Sequence, residues 1–190
     1  MSIFCNCLIF FITLALTVLF FRKDGKWDAE RGRKAFRFFT VRSNVFCAAA
    51  ALLLCLFPSS RLVWLLKYAG TAAVSVTMLT VLIYLGPVYG YKKLLTGTDL
   101  FMHLVTPLIA ILSFTLLEKR GMTFSEALLA MIPVILYGLL YVYKIKFAPE
   151  GKAWDDFYAF DQGGGLCLSL PAMVLGKFLV CMGLMALQNL

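Results

Sequence analysis

The sequence predicts an all-α integral membrane protein, a bundle of six transmembrane helices that forms one domain over residues 1–190. Hydrophobic residues make up 62% of the chain, charged residues only 15%, and the mean hydropathy is +0.87. A soluble domain has about 25% charged residues. The charges also cluster and leave long neutral stretches between them, and about 18 apolar residues are enough to cross the hydrocarbon core of a bilayer.

Six such stretches follow one another along the chain. They cover residues 3–21, 38–57, 62–86, 101–117, 124–143 and 166–187. Because they are apolar on all sides rather than alternately polar and apolar, they are predicted to be helices and not barrel strands. The first has no Lys or Arg before it and no small-x-small cleavage site, so we expect a retained helix rather than a signal peptide. Lys67, one turn inside the third stretch, is expected to extend its ammonium group to the interface.

The first, third and fifth loops are long, whereas the second and fourth are a few residues each. The long loops, residues 22–37, 87–100 and 144–165, therefore share one face of the membrane. They carry twelve Lys or Arg residues, against three in the short loops. By the positive-inside rule the long loops are predicted to be cytoplasmic and both termini to lie outside. The net charge of +8 is then explained by topology, and loop 22–37 is expected to contact lipid headgroups rather than nucleic acid.

The scarcity of reactive side chains within the stretches argues against several kinds of site. One histidine and no intramembrane cluster of carboxylates leave too few ligands for a metal, and we expect neither a metal nor a cofactor. The chain has no Gly-x-Ser-x-Gly motif. It also shows no internal repeat of the kind found in inverted-repeat transporters.

His103, the only histidine, is predicted within the first turn of the fourth helix. Asp99 lies four residues before it and Thr106 three residues after it, so the three side chains are expected on one helix face. The spacing alone favours a structural histidine that is hydrogen-bonded between helices.

Thr40 lies near the start of the second helix, and Ser43 and Asn44 come after it at i+3 and i+4. One face of this helix is therefore polar. Considered alone, Thr40 is expected to hydrogen-bond to its own helix, as threonines in membrane helices often do. Arg42, two residues on, is expected to face lipid headgroups or another helix.

Topology relates Thr40 to His103. The second and fourth helices both begin at the long-loop face, so the two side chains are expected at similar depth, where a hydroxyl and an imidazole can act as nucleophile and base. Lys177 on the sixth helix is expected about one turn deeper, where it snorkels, pairs with a buried acceptor or binds an anionic headgroup. A single polar pocket beneath the cytoplasmic face is expected. The aromatic and acidic segment 154–158 is predicted to dock on the bundle or to form a lid over this pocket.

These motifs resemble a known family. Phe-Phe-Thr at residues 38–40, and Met-His at residues 102–103 with a proline at 107, resemble the androgen-induced and androgen-dependent TFPI-regulating family of six-helix membrane hydrolases. Residues 37–44 and the aromatic segment 154–160 are similar to its bacterial members. The resemblance implies hydrolysis of fatty acid esters of hydroxy fatty acids, or of similar fatty-acyl esters, through an acyl-threonine intermediate.

The resemblance implies that Thr40 is the nucleophile and that His103 is the general base and later the general acid. Asn44, Asp99 and Lys177 are the candidate substrate-binding residues. The chain also departs from the family. Ser43 or Asn44 stands where the animal members have an aspartate after the threonine, and Asp99 stands where they have an amide residue. The identity of a third catalytic group is therefore open.

Two other classes of function are also open. One is a non-enzymatic lipid-binding or transport bundle, in which Thr40 and His103 hold helices together. The other is a structural subunit of a larger membrane assembly. A cavity that holds Thr40 and His103 within hydrogen-bond reach would favour the hydrolase. A His103 bonded only to helix backbone would favour the lipid-binding or transport protein.

Overall fold

A computed structural model describes residues 1–158, 160 and 165–190, and within them six helices are long and apolar enough to cross a membrane. These are α1 (Ser2–Phe20), α3 (Phe39–Leu56), α4 (Arg61–Tyr89), α6 (Gly97–Leu117), α7 (Phe124–Phe147) and α8 (Leu166–Asn189). The connections contain a hairpin of β1 (Arg22–Lys23) and β2 (Lys26–Trp27), and the short helices α2 (Ala29–Ala35) and α5 (Tyr91–Leu94). The number and order of the apolar helices agree with the prediction. Residues 159 and 161–164, in the predicted fifth loop, lie outside the described residues.

Three helix ends at the long loops differ from the prediction, and one of them is the end of α7, which continues to Phe147 rather than residue 143. Helix α4 continues to Tyr89, and α6 begins at Gly97 rather than at residue 101. Wide π turns at Val81–Leu85 and Phe101–Val105 each come shortly before a proline. Proline donates no N–H to the preceding turn, so the helix continues there with altered hydrogen bonding. Because α6 begins at Gly97, His103 lies nearly two turns inside this helix. The prediction that His103 lies within the first turn is therefore wrong.

The loops and termini meet at two ends of the bundle. At the short-turn end, the Ser2 hydroxyl donates to Glu118 Oε1 (2.8 Å) and Asn189 Nδ2 donates to the Met122 carbonyl (2.9 Å). Both termini therefore lie with the short connections. The long connections lie at the opposite, long-loop end, in agreement with the loop grouping expected from the sequence.

Helix α4 lies at the centre of the bundle and packs against α3, α6 and α8. Its middle turns are built from small buried residues, including Ala69, Gly70, Ala72 and Ala73. A Cβ at Gly70 would lie 2.7 Å from the Cα of Cys47, so the approach of α3 requires glycine at this position. Small residues of this kind let membrane helices gain close van der Waals contact.

Lys67 does not extend to the interface, and the prediction that it does is wrong. The residue is completely buried, and its Nζ donates to Asn6 Oδ1 at 2.5 Å. Asn6 Nδ2 donates in turn to Glu118 Oε1 at 2.7 Å. A buried polar network therefore joins α1, α4 and α6 near the short-turn end, whereas the sequence predicts a single polar pocket near the other face.

Candidate functional site

A cavity of about 710 Å³ lies among α3, α4, α7 and α8 toward the long-loop end. Its walls are mostly apolar and come from residues 76–85 of α4, 134–141 of α7 and 168–180 of α8, with Phe39 and Thr40 from α3. Its size is within the range of about 300–1,000 Å³ that is usual for small-molecule sites. The cavity is therefore large enough to hold an organic ligand.

The cavity reaches the surface of the bundle at exposed lining residues of α4 and α8. Nearer the short-turn end, the Tyr68 hydroxyl on α4 donates a hydrogen bond to the Cys181 carbonyl on α8 (3.3 Å). This hydrogen bond joins the two helices. Toward the long-loop end, apolar lining residues of both helices face outward, with Ile83 72% exposed and Leu179 60% exposed.

Aromatic side chains of the fifth loop cover the cavity at the long-loop end. Tyr158 and Phe160 line the cavity, and both rings contact Tyr141 of α7. The Tyr141 hydroxyl donates to Asp156 Oδ1 (2.7 Å) and accepts from the Tyr158 amide (3.2 Å). The segment is docked on the bundle, which agrees with one of the two arrangements that the sequence allows for it.

The Tyr158 hydroxyl also caps the start of α3. It accepts a hydrogen bond from the Phe39 amide at 2.9 Å, where the first turn of a helix leaves its N–H groups without backbone partners. Burial raises the pKa of the Tyr158 hydroxyl to about 12, so the group is protonated at neutral pH. The sequence indicates an aromatic segment here but does not identify Tyr158 as a cavity residue, because loop docking leaves no periodic signal.

Thr40 lies beside this cap, as the second residue of α3, and lines the cavity. Its carbonyl accepts from the Ser43 hydroxyl (3.1 Å) and from Asn44 Nδ2 (2.8 Å). The Ser43 hydroxyl also lies 2.9 Å from that of Thr77 on α4, which fixes the depth of α3 against α4. Thr40 is thus a hydroxyl held at the covered end of an apolar cavity.

Asn44 joins α3 to α6. Its Nδ2 donates to the Met102 carbonyl (2.9 Å) as well as to the Thr40 carbonyl, and the residue is fully buried. One amide group therefore holds the backbone at Thr40 next to the backbone that precedes His103. Asn44 therefore lies between the two candidate catalytic residues and is not part of the cavity lining.

His103 is buried in α6 and lies outside the lining of the cavity. Its Nδ1 is 2.7 Å from the carbonyl oxygen of Leu94 in α5. A carbonyl only accepts, so Nδ1 carries a proton in this contact, and Nε2 is the nitrogen with a lone pair in the Nδ1–H tautomer. Among the described contacts there is no hydrogen bond between Thr40 and His103. The structure brings the backbones of their helices together but does not join the two side chains.

Lys177 and Asp99, the other candidate binding residues, differ in position. Lys177 lines the cavity with its side chain completely buried, and its Nζ has no hydrogen-bond partner among the described residues. Asp99 lies in the first turn of α6, is partly exposed and is not part of the cavity lining. Within the described residues, no group of three or more His, Cys, Asp or Glu side chains is arranged to hold a metal ion.

No protein family, no curated protein and no solved structure matches this chain. Membership of the androgen-induced hydrolase family therefore stays a prediction that depends on the motifs around Thr40 and His103. The cavity and the side chains that line it are thus the main guide to function.

Proposed function

We propose that the cavity binds a fatty-acyl lipid that enters from the bilayer, and that the protein is an intramembrane esterase of such lipids. The observation that carries the proposal is the cavity itself, which has apolar walls, exposed apolar lining residues on α4 and α8, and the Thr40 residue at its covered end; we infer that it opens sideways between these two helices. An acyl ester partitions into the bilayer, so a lateral opening admits its chain without passage through water.

In the proposed reaction, the Thr40 hydroxyl attacks the acyl carbonyl and passes its proton to Nε2 of His103. The ester bond breaks, the alcohol leaves with that proton, and an acyl-threonine ester forms. Water then cleaves this ester and regenerates Thr40, so that ester and water yield an acid and an alcohol. One donor near the covered end is suited to the developing oxyanion, the Tyr158 hydroxyl.

A lipid-binding or transport protein without hydrolysis is the second candidate, and one observation favours it. The hydrogen bond of His103 goes to the backbone of α5, and the imidazole lies outside the cavity lining. Lipid binding needs only the cavity, whereas hydrolysis also needs His103 to approach Thr40 when the ligand is bound. The two candidates therefore share the binding step and differ in whether His103 takes part.

Hydrolysis of a panel of acyl esters by the protein purified in detergent decides between them. We expect Thr40→Ala and His103→Ala each to lower the rate by about 100-fold or more, the range usual for the loss of a nucleophile or general base. Thr80→Ala is the matched control, because Thr80 is a second threonine of the same cavity, and it should retain activity. An acyl adduct should be found on Thr40 by mass spectrometry.

Hydrolysis that persists in both Thr40→Ala and His103→Ala would contradict the proposed mechanism, as would an acyl adduct on another residue. Binding of acyl lipids without hydrolysis of any ester would favour the second candidate.

A further inference from the structure

Lys177 is the one basic side chain that lines the cavity among the described residues, and none of the other described lining residues carries a charge. No Asp, Glu, Arg or His lines the cavity among the described residues, and the other polar groups there are hydroxyls. The Lys177 side chain is completely buried and its Nζ has no partner within that part of the chain. A separate buried network joins Lys67 to Asn6 and Asn6 to Glu118, and neither charged residue lines the cavity.

Such an arrangement is costly in the unliganded protein. An ammonium group that leaves water without gaining a partner loses several kcal/mol of solvation, roughly, even after relaxation. Within membranes, ionisable side chains face the interior of a bundle and pair with other groups, and those without a structural partner mark ligand sites. Lys177 therefore has the surroundings of a group that is paired by a ligand.

We propose that Lys177 binds the anionic head of a single-chain acyl amphiphile, a carboxylate or a phosphate monoester, whose tail leads out between α4 and α8. The inference rests on the proposed lipid-binding cavity but not on hydrolysis. The anion supplies the charge and the hydrogen-bond acceptors that Nζ lacks. The apolar walls around it contact the first part of the chain.

The depth of Lys177 gives the ligand a direction. Lys177 is eleven residues after Leu166, the first residue of α8, which at 1.5 Å per residue is roughly 16 Å from the long-loop end of that helix. That is near the middle of a hydrocarbon core of about 30 Å. The exposed residues Ile83 and Leu179 mark the opening to the bilayer. The head therefore lies inside the protein and the tail toward hydrocarbon.

Binding of four probes to the full chain in detergent tests this inference. The probes are palmitate, hexadecyl phosphate and their neutral counterparts methyl palmitate and hexadecanol. We expect at least one anionic probe to bind about tenfold or more tightly than its neutral counterpart, and Lys177→Met to abolish this preference. Lys152→Met is the matched control, because it removes the same charge from an exposed loop position and should preserve the preference.

The outcomes separate the two anions and the two proposals. Preference for palmitate alone identifies a carboxylate, and preference for hexadecyl phosphate alone identifies a phosphate monoester. Equal affinity for anionic and neutral probes, or a preference that survives Lys177→Met, would overturn the inference. If Lys177→Met does not fold, Lys177→Gln serves as the uncharged variant. A Lys177-dependent preference without ester hydrolysis removes the esterase proposal only, whereas hydrolysis without the preference removes this inference only.

The orientation of the acyl chain in the cavity can be measured separately, by fluorescence quenching. In an Ile83→Trp variant, a nitroxide near the methyl end of stearate should quench the added tryptophan more strongly than a nitroxide near the carboxylate. Stronger quenching by the label near the carboxylate would contradict the head-inward orientation.

Discussion

Among single residues, Asn44 has the clearest structural role, because one buried amide serves two helices. Its Nδ2 donates to the carbonyls of Thr40 and Met102. We expect Asn44→Ala to lower the free energy of unfolding by about 1–2 kcal/mol, because the buried Met102 carbonyl loses its donor from α3. Thermal unfolding in detergent measures the change.

Ser59→Ala in the exposed turn between α3 and α4 is the control for Asn44→Ala and should leave the unfolding midpoint unchanged. If Asn44→Ala is as stable as the wild type, the amide bridge does not hold α3 to α6.

Tyr158 gives a prediction about pH. Burial raises the pKa of its hydroxyl to about 12 from an ordinary value near 10. Because the folded pKa is the higher one, the stabilising contribution is complete below about pH 10 and is lost as the pH rises toward 12. The difference in unfolding free energy between the wild type and Tyr158→Phe should therefore shrink over this interval. Tyr89→Phe, at an exposed tyrosine, should show no such trend.

The sequence predicts some residues of the candidate site but not how their side chains are arranged. Thr40 and Lys177 stand out because polar residues are few within apolar stretches, and both line one cavity. The proposed pairing of Thr40 with His103 depends on equal depth, and depth alone does not specify which way a side chain points. His103 lies deeper in α6 than expected and bonds to Leu94 of α5, a contact that no sequence pattern indicates.

At the scale of elements, the apolar stretches predict the six long helices because length and hydropathy are properties of each segment alone. Their ends are less predictable. Helices α4 and α7 continue beyond the apolar runs into aromatic and basic residues, which retain helical geometry at the interface. The sequence does not predict the buried network of α1, α4 and α6, because Asn6, Lys67 and Glu118 are far apart in the chain and each resembles an interfacial residue.

This network gives a prediction for the packing of α1 against α4. Asn6→Ala removes the acceptor of Lys67 Nζ and leaves a buried charge without a partner. We expect a loss of about 2–3 kcal/mol, since a hydrogen bond to a charged group contributes about 1.5–3 kcal/mol. Unfolding in detergent measures it.

The triple variant Asn6→Leu, Lys67→Met and Glu118→Leu is the informative comparison for Asn6→Ala. Because it removes both buried charges together with the amide that joins them, it should recover much of the lost stability. An Asn6→Ala protein of wild-type stability would show that Lys67 does not depend on Asn6.

At the scale of the whole molecule, the charge distribution predicts an orientation. The long connections at one end carry most of the Lys and Arg, so we propose that this end is cytoplasmic and that both termini lie outside. In a variant without native cysteines, a Lys26→Cys protein in intact cells should not react with an impermeant maleimide, whereas Ser59→Cys should react.

After lysis both positions should be labelled, because Lys26 and Ser59 are exposed. Labelling of Lys26→Cys but not of Ser59→Cys in intact cells would reverse the orientation. It would also place the covered end of the cavity outside the cell.

An acyl chain in the cavity between α4 and α8 is the feature on which both proposals depend. Photo-cross-linking of the purified protein with a diazirine-labelled fatty acid, with the adducts located by mass spectrometry, tests it most directly. We predict adducts on residues 76–85 of α4 and 168–180 of α8 that unlabelled palmitate suppresses. Adducts confined to the outward faces of α1 and α3, unaffected by palmitate, would contradict it.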